Sequence, residues 1–386
     1  MFCIGEKMKK GIIKKGIQFY KRYGIRGGIA TLTGQGQIKD KNYAAWYEKN
    51  KVSEEELAIQ RNKEFPYMPL FSILVPVYNT PIPYLREMLD SVRNQTYQKW
   101  QLCIANANPE NEEVARILNQ YIEMDKRIQT VNVPENLGIA QNTNKALSIA
   151  KGDYIGLLDH DDMLAADALF EVAKTVNDEN ADVIYTNEDK ITMSGEKHFQ
   201  PNFKPEFNLD MLRSNNYICH FFIAKASLMK EIGGFRGEYN GAQDYDMIFR
   251  CTERADNIVR IPKVLYHWRM HEQSTAENPE SKRYAFDAGK KVIEDHLKRC
   301  EESAEVQMTE YPGFYRVKYA IKEKPRVSVV IVKETKNMIP KDTLIKIADD
   351  YGRDRVEFDV VDGNYNLMES QSILYHGKRN VIIRRC

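Results

Sequence analysis

Tyr154-Ile155-Gly156-Leu157-Leu158-Asp159-His160-Asp161-Asp162 runs from an apolar stretch straight into three carboxylates and an imidazole. The apolar part is too short for a buried helix and has the length of a strand inside an α/β sheet. Such sheets bind ligands beyond the carboxyl ends of their strands, so the acids fall where a ligand would lie. Two Asp separated by one residue supply the oxygen donors that Mg²⁺ or Mn²⁺ takes together with nucleotide phosphates. A metal-assisted diphosphate site is one reading. The other is that Asp161 or Asp162 caps a helix beginning near Met163-Leu164-Ala165-Ala166.

Upstream, Phe71-Ser72-Ile73-Leu74-Val75-Pro76-Val77-Tyr78-Asn79 is an apolar run followed by a helix-periodic segment, Leu85-Met88-Leu89-Val92. A second strand at Trp100 to Ala105 completes a βαβ unit, which places the loop at Val77 to Thr80 on the ligand edge of a parallel sheet. A third strand, Thr130 to Val133, leads into Asn136-Leu137-Gly138 and a helix carrying Asn142 and Asn144. Gly138 at a helix start lets backbone amides approach an anionic or polar ligand, although a plain turn glycine has the same signature. Glu188 and Asp189 follow a strand at Asp182 to Thr186 and read as solvated, as most acids at strand ends are.

Taken in order, ILVPVYNT (Ile73 to Thr80), NLGIAQNTNKAL (Asn136 to Leu147), GDYIGLLDHDD (Gly152 to Asp162), Gly241-Ala242-Gln243-Asp244-Tyr245-Asp246 and His267-Trp268-Arg269-Met270-His271 resemble the motifs of the inverting family 2 glycosyltransferases of GT-A fold. The resemblance covers about Met68 to Ala276. It implies an α/β fold with a mostly parallel sheet flanked by helices, and a nucleotide-diphosphate sugar as donor. Pro76, Tyr78, Asn79, Asn136 and Gly138 are implied at the nucleotide. Asp159 and Asp161 match the DXD element that holds the metal and the sugar diphosphate, with Asp162 a further candidate. Asp244 matches the catalytic base. The family commonly has Glu where this chain has Gln243, and an acid after the second strand where it has Ala105-Asn106-Ala107-Asn108; Asn106 can still hydrogen-bond a pyrimidine edge.

The chemistry is coherent on its own terms. A divalent ion, Mn²⁺ or Mg²⁺, stabilises the departing diphosphate as a Lewis acid, and a carboxylate on the other face takes the proton of the attacking hydroxyl. The expectation is inversion in one displacement onto a glycan or lipid-linked glycan acceptor at the cell surface. His271 is a candidate third metal ligand, a donor to the phosphates or a packed structural residue, and Trp268 a platform for a sugar ring. Two readings compete: a non-catalytic nucleotide-sugar-binding or scaffold protein of the same fold, and an aspartate-based phosphatase built on Asp159-His160-Asp161.

Composition narrows the partners. Of 386 residues, 56 are Lys or Arg and 55 Asp or Glu, a net charge of +1 that provides no field for a nucleic acid. The six cysteines are scattered without CxxC spacing, which argues against a zinc ribbon or a disulfide framework. No apolar run has the length of a membrane span, so a cytoplasmic protein is expected. Between Lys7 and Arg26 eight cations occur with no acid, interleaved with Ile13, Ile17 and Tyr20. That pattern suits either a basic tail or an amphipathic segment on anionic lipid at the inner membrane face, each cation adding about 1 kcal/mol. The expected organisation is a basic arm and lead-in helix (1–67, with one helix over Asn42 to Lys63), a GT-A domain (68–276), a helical extension (277–324) and a short α/β tail (325–386). In the tail, Val327 to Val332 resembles the strand at Phe71 to Val77, as the start of a truncated or degenerate second repeat or of an unrelated small lobe.

Overall fold

The structure is a computed structural model. It describes residues 35–270 and 283–320, residues 345, 346 and 349, and the strands Val327–Lys333, Val356–Asp362 and Asn380–Arg385. The basic arm and His271 lie outside the described residues.

The lead-in forms two helices, not one: α1 (Gln35–Asn50) and α2 (Glu54–Arg61). Ser53 restarts the chain with a capping box, its Oγ accepting the Glu56 N–H at 3.2 Å while Glu56 Oε2 accepts the Ser53 N–H at 3.0 Å. Glu54, Glu55 and Glu56 then occupy the first turn, where the positive end of the helix favours them.

The sheet is built outward from β1 (Phe71–Val77). It pairs in parallel with β2 (Trp100–Asn106) on one side and with β4 (Tyr154–Leu157) on the other, and β3 (Ile128–Asn132) extends β2. Helices α3 (Ile82–Arg93), α4 (Glu112–Met124) and α5 (Ile139–Leu147) make the crossovers. Side chains alternate between two cores: Phe71, Ile73, Val75, Leu102 and Ile104 face one, Leu74, Cys103 and Ala105 the other. A sheet covered on both faces explains the near-continuous apolar runs of these strands.

The chain continues through β5 (Met163–Leu164), α6 (Ala168–Glu179), β6 (Val183–Ile191), β7 (His198–Asn202), α7 (Leu209–Leu212), β8 (Phe222–Lys225), α8 (Ala226–Glu231), α9 (Gln243–Thr252) and β9 (Ile258–Arg269). The nine-stranded order is β3-β2-β1-β4-β8-β6-β9-β5, with β7 paired to β6. Strands β1, β2, β3, β4, β6 and β9 run one way, and β5, β7 and β8 run against them. The carboxyl ends of β1, β2, β4, β6 and β9 therefore open on one edge.

Helix α10 (Arg283–Arg299) packs on α9, with Phe249 and His296 stacked at 4.2 Å, and the hairpin β10 (Ala304–Met308) and β11 (Tyr315–Tyr319) follows. Residues 319–386 form a separate compact unit. Its β12 (Val327–Lys333) lies between β13 (Val356–Asp362) and β14 (Asn380–Arg385), both parallel to it, as β1 lies between β2 and β4.

Candidate active site

The acidic turn after β4 is tied down by β9. Asp162 is buried: its Oδ2 accepts the Tyr266 hydroxyl at 2.6 Å and its Oδ1 the Arg269 N–H at 2.7 Å. Arg269 also donates from Nε to the Asp161 carbonyl at 2.8 Å, so Tyr266 and Arg269 shape the turn together. No helix starts at Met163. Residues Met163–Leu164 pair with β9, and α6 begins only at Ala168, which removes the helix-cap reading of Asp161 and Asp162. Asp159 keeps its side chain 46% exposed at the edge. Burial, with Asp161 and then Asp159 nearby, pushes the Asp162 carboxyl well above the ordinary range.

Opposite this turn stands the segment 216–220. His220 stacks flat on Tyr266 with ring centres 4.6 Å apart, and reaches Asp159 Oδ2 from Nε2 (3.7 Å) and Glu188 Oε2 from Nδ1 (3.2 Å). Burial disfavours charge on this imidazole, but Cys219, Asp159 and Glu188 outweigh it and raise its pKa well above the usual histidine value. Buried Lys204 holds the segment from behind through the carbonyls of Ile218 and His220, and pairs with Glu188 at 3.2 Å. Burial would raise the Glu188 carboxyl, but Lys204 and His220 bring it down to about 2.

Glu188 and Asp189 are thus not solvated as expected. Strand β6 runs on to Ile191 and carries both into the sheet between β7 and β9. Asp189 is completely buried and takes three donors: His267 Nδ1 at 2.6 Å, His198 Nδ1 at 2.8 Å and the Tyr43 hydroxyl of α1 at 2.7 Å. Burial opposes its ionisation, yet the two histidines lower its pKa. The lead-in helix, given no chemistry from sequence, is clasped onto the sheet here.

Asp244 sits in the first turn of α9. Asn216 Nδ2 donates to its Oδ2 at 2.8 Å, and Cys219 Sγ lies 4.0 Å from the same oxygen and 3.4 Å from His220 Nε2. Asp159 and Asp244 therefore both approach one His220–Cys219 pair, Asp159 at the imidazole and Asp244 at the thiol. Burial is the main cause raising the Asp244 pKa, with Asp159 adding to it and His220 opposing. Gln243, where the family commonly has Glu, accepts the Gly241 N–H at 2.8 Å and shapes the loop entering the helix.

The remaining sequence candidates line the same edge. Tyr78 is exposed, and Asn79, at φ 52°, accepts a hydrogen bond from Asn108 at 2.8 Å. Pro76 lies beside Ala105 in the β1–β2 ladder. Asn106 is buried, with its side-chain oxygen facing the Asn108 N–H at 3.3 Å. Asn136 accepts the Gly138 N–H at 3.1 Å and Asn142 Nδ2 at 2.8 Å. Trp268 lies 5.7 Å from His220, under the Lys190 ammonium.

Gly138 has φ 84°, and a Cβ there would stand 2.7 Å from Asn240 Nδ2, whose Oδ1 accepts the Ala140 N–H at 3.0 Å. The loop before α5 and the loop before α9 thus touch through one side chain. Gly138→Ala is expected to lower stability by about 2 kcal/mol, because φ 84° with ψ 160° is a backbone region open essentially to glycine alone; an unchanged thermal midpoint in that variant would show the contact to be idle.

The donor set suits a hard divalent ion. Asp159, Asp161 and Asp162 fall within four residues and their carboxylates repel one another, a strain that a cation relieves. Asp159, Asp162 and His220 offer ligand atoms within 4.8 Å of one another, but both Asp162 oxygens are already engaged. Sequence reasoning left the roles of Asn215 to His220 open and did not single out Lys204. Asn215-Asn216-Tyr217-Ile218-Cys219-His220 mixes polar and apolar residues without a recognisable motif; their place at the edge comes from β8 pairing between β4 and β6.

A family model described as "Glycosyl transferase family 2" matches residues 72–233. The chain is 31% identical over 291 residues to the O-antigen biosynthesis protein RfbC of Myxococcus xanthus, covering 75% of this chain and 23% of that protein. It is 31% identical over 208 residues to the uncharacterized glycosyltransferase MJ1057 of Methanocaldococcus jannaschii, 52% of this chain and 71% of that protein. The chain spans only about a quarter to a third of the length of the long curated relatives that it matches. Among solved structures, S. aureus TarS 1-349 in complex with UDP-GlcNAc is similar at TM-score 0.49 and 19% identity, over 59% of this chain and 66% of that one.

Proposed function

This chain belongs to family 2 of the glycosyl transferases, and from that premise we propose an inverting enzyme of GT-A fold that moves a sugar from a nucleoside diphosphate onto a cell-surface glycan. The observation that carries the reading is the approach of Asp159 and Asp244 to a single His220–Cys219 pair. In this reading the nucleotide rests along Pro76, Tyr78, Asn79, Asn106, Asn136 and Gly138, and Trp268 stacks on the sugar. Asp159 and Asp161 would hold Mn²⁺ or Mg²⁺, which neutralises the charge growing on the diphosphate.

Asp244 takes the proton of the acceptor hydroxyl. That oxygen forms its bond to the anomeric carbon as the bond to the phosphate oxygen breaks, and the nucleoside diphosphate leaves with the electron pair. Attack from the face opposite the leaving group inverts the carbon. A base whose pKa is raised toward the working pH accepts a proton more readily, which is the sense of the burial effect on Asp244. Family membership sets the aspartyl phosphatase reading aside. The scaffold reading predicts nucleotide binding without turnover.

Purified protein given Mn²⁺ and a panel of UDP-, GDP- and dTDP-sugars is expected to release nucleoside diphosphate. Chelation should stop the release and added metal restore it, and Asp159→Ala should lower it by about 100-fold, the scale of losing a charge-stabilising group. Unchanged release in Asp159→Ala would remove that residue from the site. Among the described residues no helix is long and apolar enough to cross a membrane. We place the enzyme at the inner membrane face through the basic segment between Lys7 and Arg26, and read residues 325–386 as a degenerate second glycosyltransferase-like repeat or an unrelated small lobe.

A further inference from the structure

The neighbourhood of Asp244 is bounded by chain beyond the stretch that the family model matches, and that chain exposes aromatic rings. Tyr284, at the start of α10, lies over the loop entering α9: a Cβ on Gly241 would stand 2.7 Å from its ring and 2.9 Å from Ala285 Cβ. Despite this packing Tyr284 remains 57% exposed. The turn between β10 and β11 carries two more rings, Tyr311 at 49% and Phe314 at 50% exposure.

That turn is fastened to the residues beside the base. Asn215 Nδ2 donates to the Gly313 carbonyl at 3.0 Å, the Tyr315 N–H donates to the Ser214 carbonyl at 2.8 Å, and the next residue, Asn216, donates to Asp244. Tyr315 stacks with Tyr245 at 6.5 Å, and Gly313 lies against Phe286, two residues along α10 from Tyr284. Hydrogen bonds and packing thus fix the positions of the turn and of the helix start, while three large rings stay in water. Exposed rings on chain that is fastened to the loop and the segment holding Asp244 are placed to serve a ligand of that carboxylate.

We propose that Tyr284, Tyr311 and Phe314 form the resting surface for the saccharide acceptor. The proposal rests on the glycosyltransferase reading of Asp244 and adds the residues that hold its second substrate. A pyranose ring has one face of C–H groups and a rim of hydroxyls. Its apolar face covers an aromatic ring while the hydroxyls stay hydrated, so one of them can turn to Asp244 without being stripped of water beforehand. A saccharide chain suits separate exposed rings better than a protein partner does, because each ring takes one sugar unit independently.

The test uses the full chain and saturation-transfer NMR with short oligosaccharides of glucose, N-acetylglucosamine and mannose. At least one is expected to receive saturation at its ring C–H protons, and Tyr284→Ala combined with Phe314→Ala should weaken its Kd by about tenfold. Tyr284→Phe with Phe314→Tyr should restore it, and nucleoside diphosphate affinity and the oligomeric state should be the same in all three proteins. No saturation with any sugar, equal binding by the alanine variant, or a change of oligomeric state in that variant each overturns the proposal. Failure of the underlying reading looks different: turnover would then be indifferent to Asp244, whereas failure of the surface alone leaves nucleoside diphosphate release intact.

Discussion

Asp244→Asn is expected to cut sugar transfer by about 1,000-fold, in the range for loss of a positioned general base, with nucleoside diphosphate affinity little changed. The amide keeps the shape of the side chain and still accepts from Asn216, but it cannot take a proton. Steady-state kinetics beside calorimetric titration of UDP or GDP separates the two effects. Equal loss of binding and turnover would make Asp244 a donor-site residue rather than the base. The pH profile has a definite sign. Burial raises the Asp244 pKa and the base works ionised, so kcat rises with pH and its acid limb lies above that of an ordinary aspartate. Asn216→Ala removes a hydrogen bond to the ionised form and should move that limb further up.

Asp246, two residues along the same helix, should show the largest effect on stability and little direct effect on chemistry. It is completely buried and binds two guanidinium groups: Arg250 through Nε at 2.9 Å and Nη2 at 2.6 Å, and Arg236 through Nε at 3.1 Å and Nη2. Arg250 also donates to the carbonyls of Ile232 and Gly234, each at 2.7 Å, which pins the glycine turn ahead of α9. Asp246→Ala leaves Arg250 buried without its carboxylate, and a buried pair broken on one side costs about 3–5 kcal/mol. At about 2–4 °C per kcal/mol, the thermal midpoint should fall by roughly 10 °C. A fall of under about 2 °C would mean that Arg236 and Arg250 find other partners, and Asp295, 2.7 Å from Arg236, is the only one at hand for Arg236 among its described contacts.

Much of the architecture was legible because it is written in short-range patterns. The apolar run ending at Leu158, the β-branched run at Phe71 to Val77 and the strand at Trp100 all became neighbouring parallel strands. The mostly parallel α/β sheet followed, since two buried faces demand continuous apolar strands. Asp159, Gly138 and the loop after Val77 were placed on the ligand edge by the rule that ligands meet strand ends, which needs no knowledge of pairing partners. The lead-in helix was misjudged in length because a single hydroxyl, that of Ser53, decides where the backbone can restart.

What tertiary structure alone decided is which polar groups meet one another. Glu188 and Asp189 look like any acidic pair at a strand end, and Asn216, Cys219 and His220 like an ordinary loop. Their partners lie far along the chain: Asp189 meets Tyr43 from 146 residues away, and Tyr266 meets Asp162 across 104. A carboxylate's fate, solvated or buried and paired, depends on the field and the donors around it. Those arise from how β8 inserts between β4 and β6 and how β9 closes against β6. Local sequence encodes the direction and the apolar faces of each strand. It does not carry the long-range register that sets one strand's acid against another's histidine, and the electrostatics of this site reside in that register.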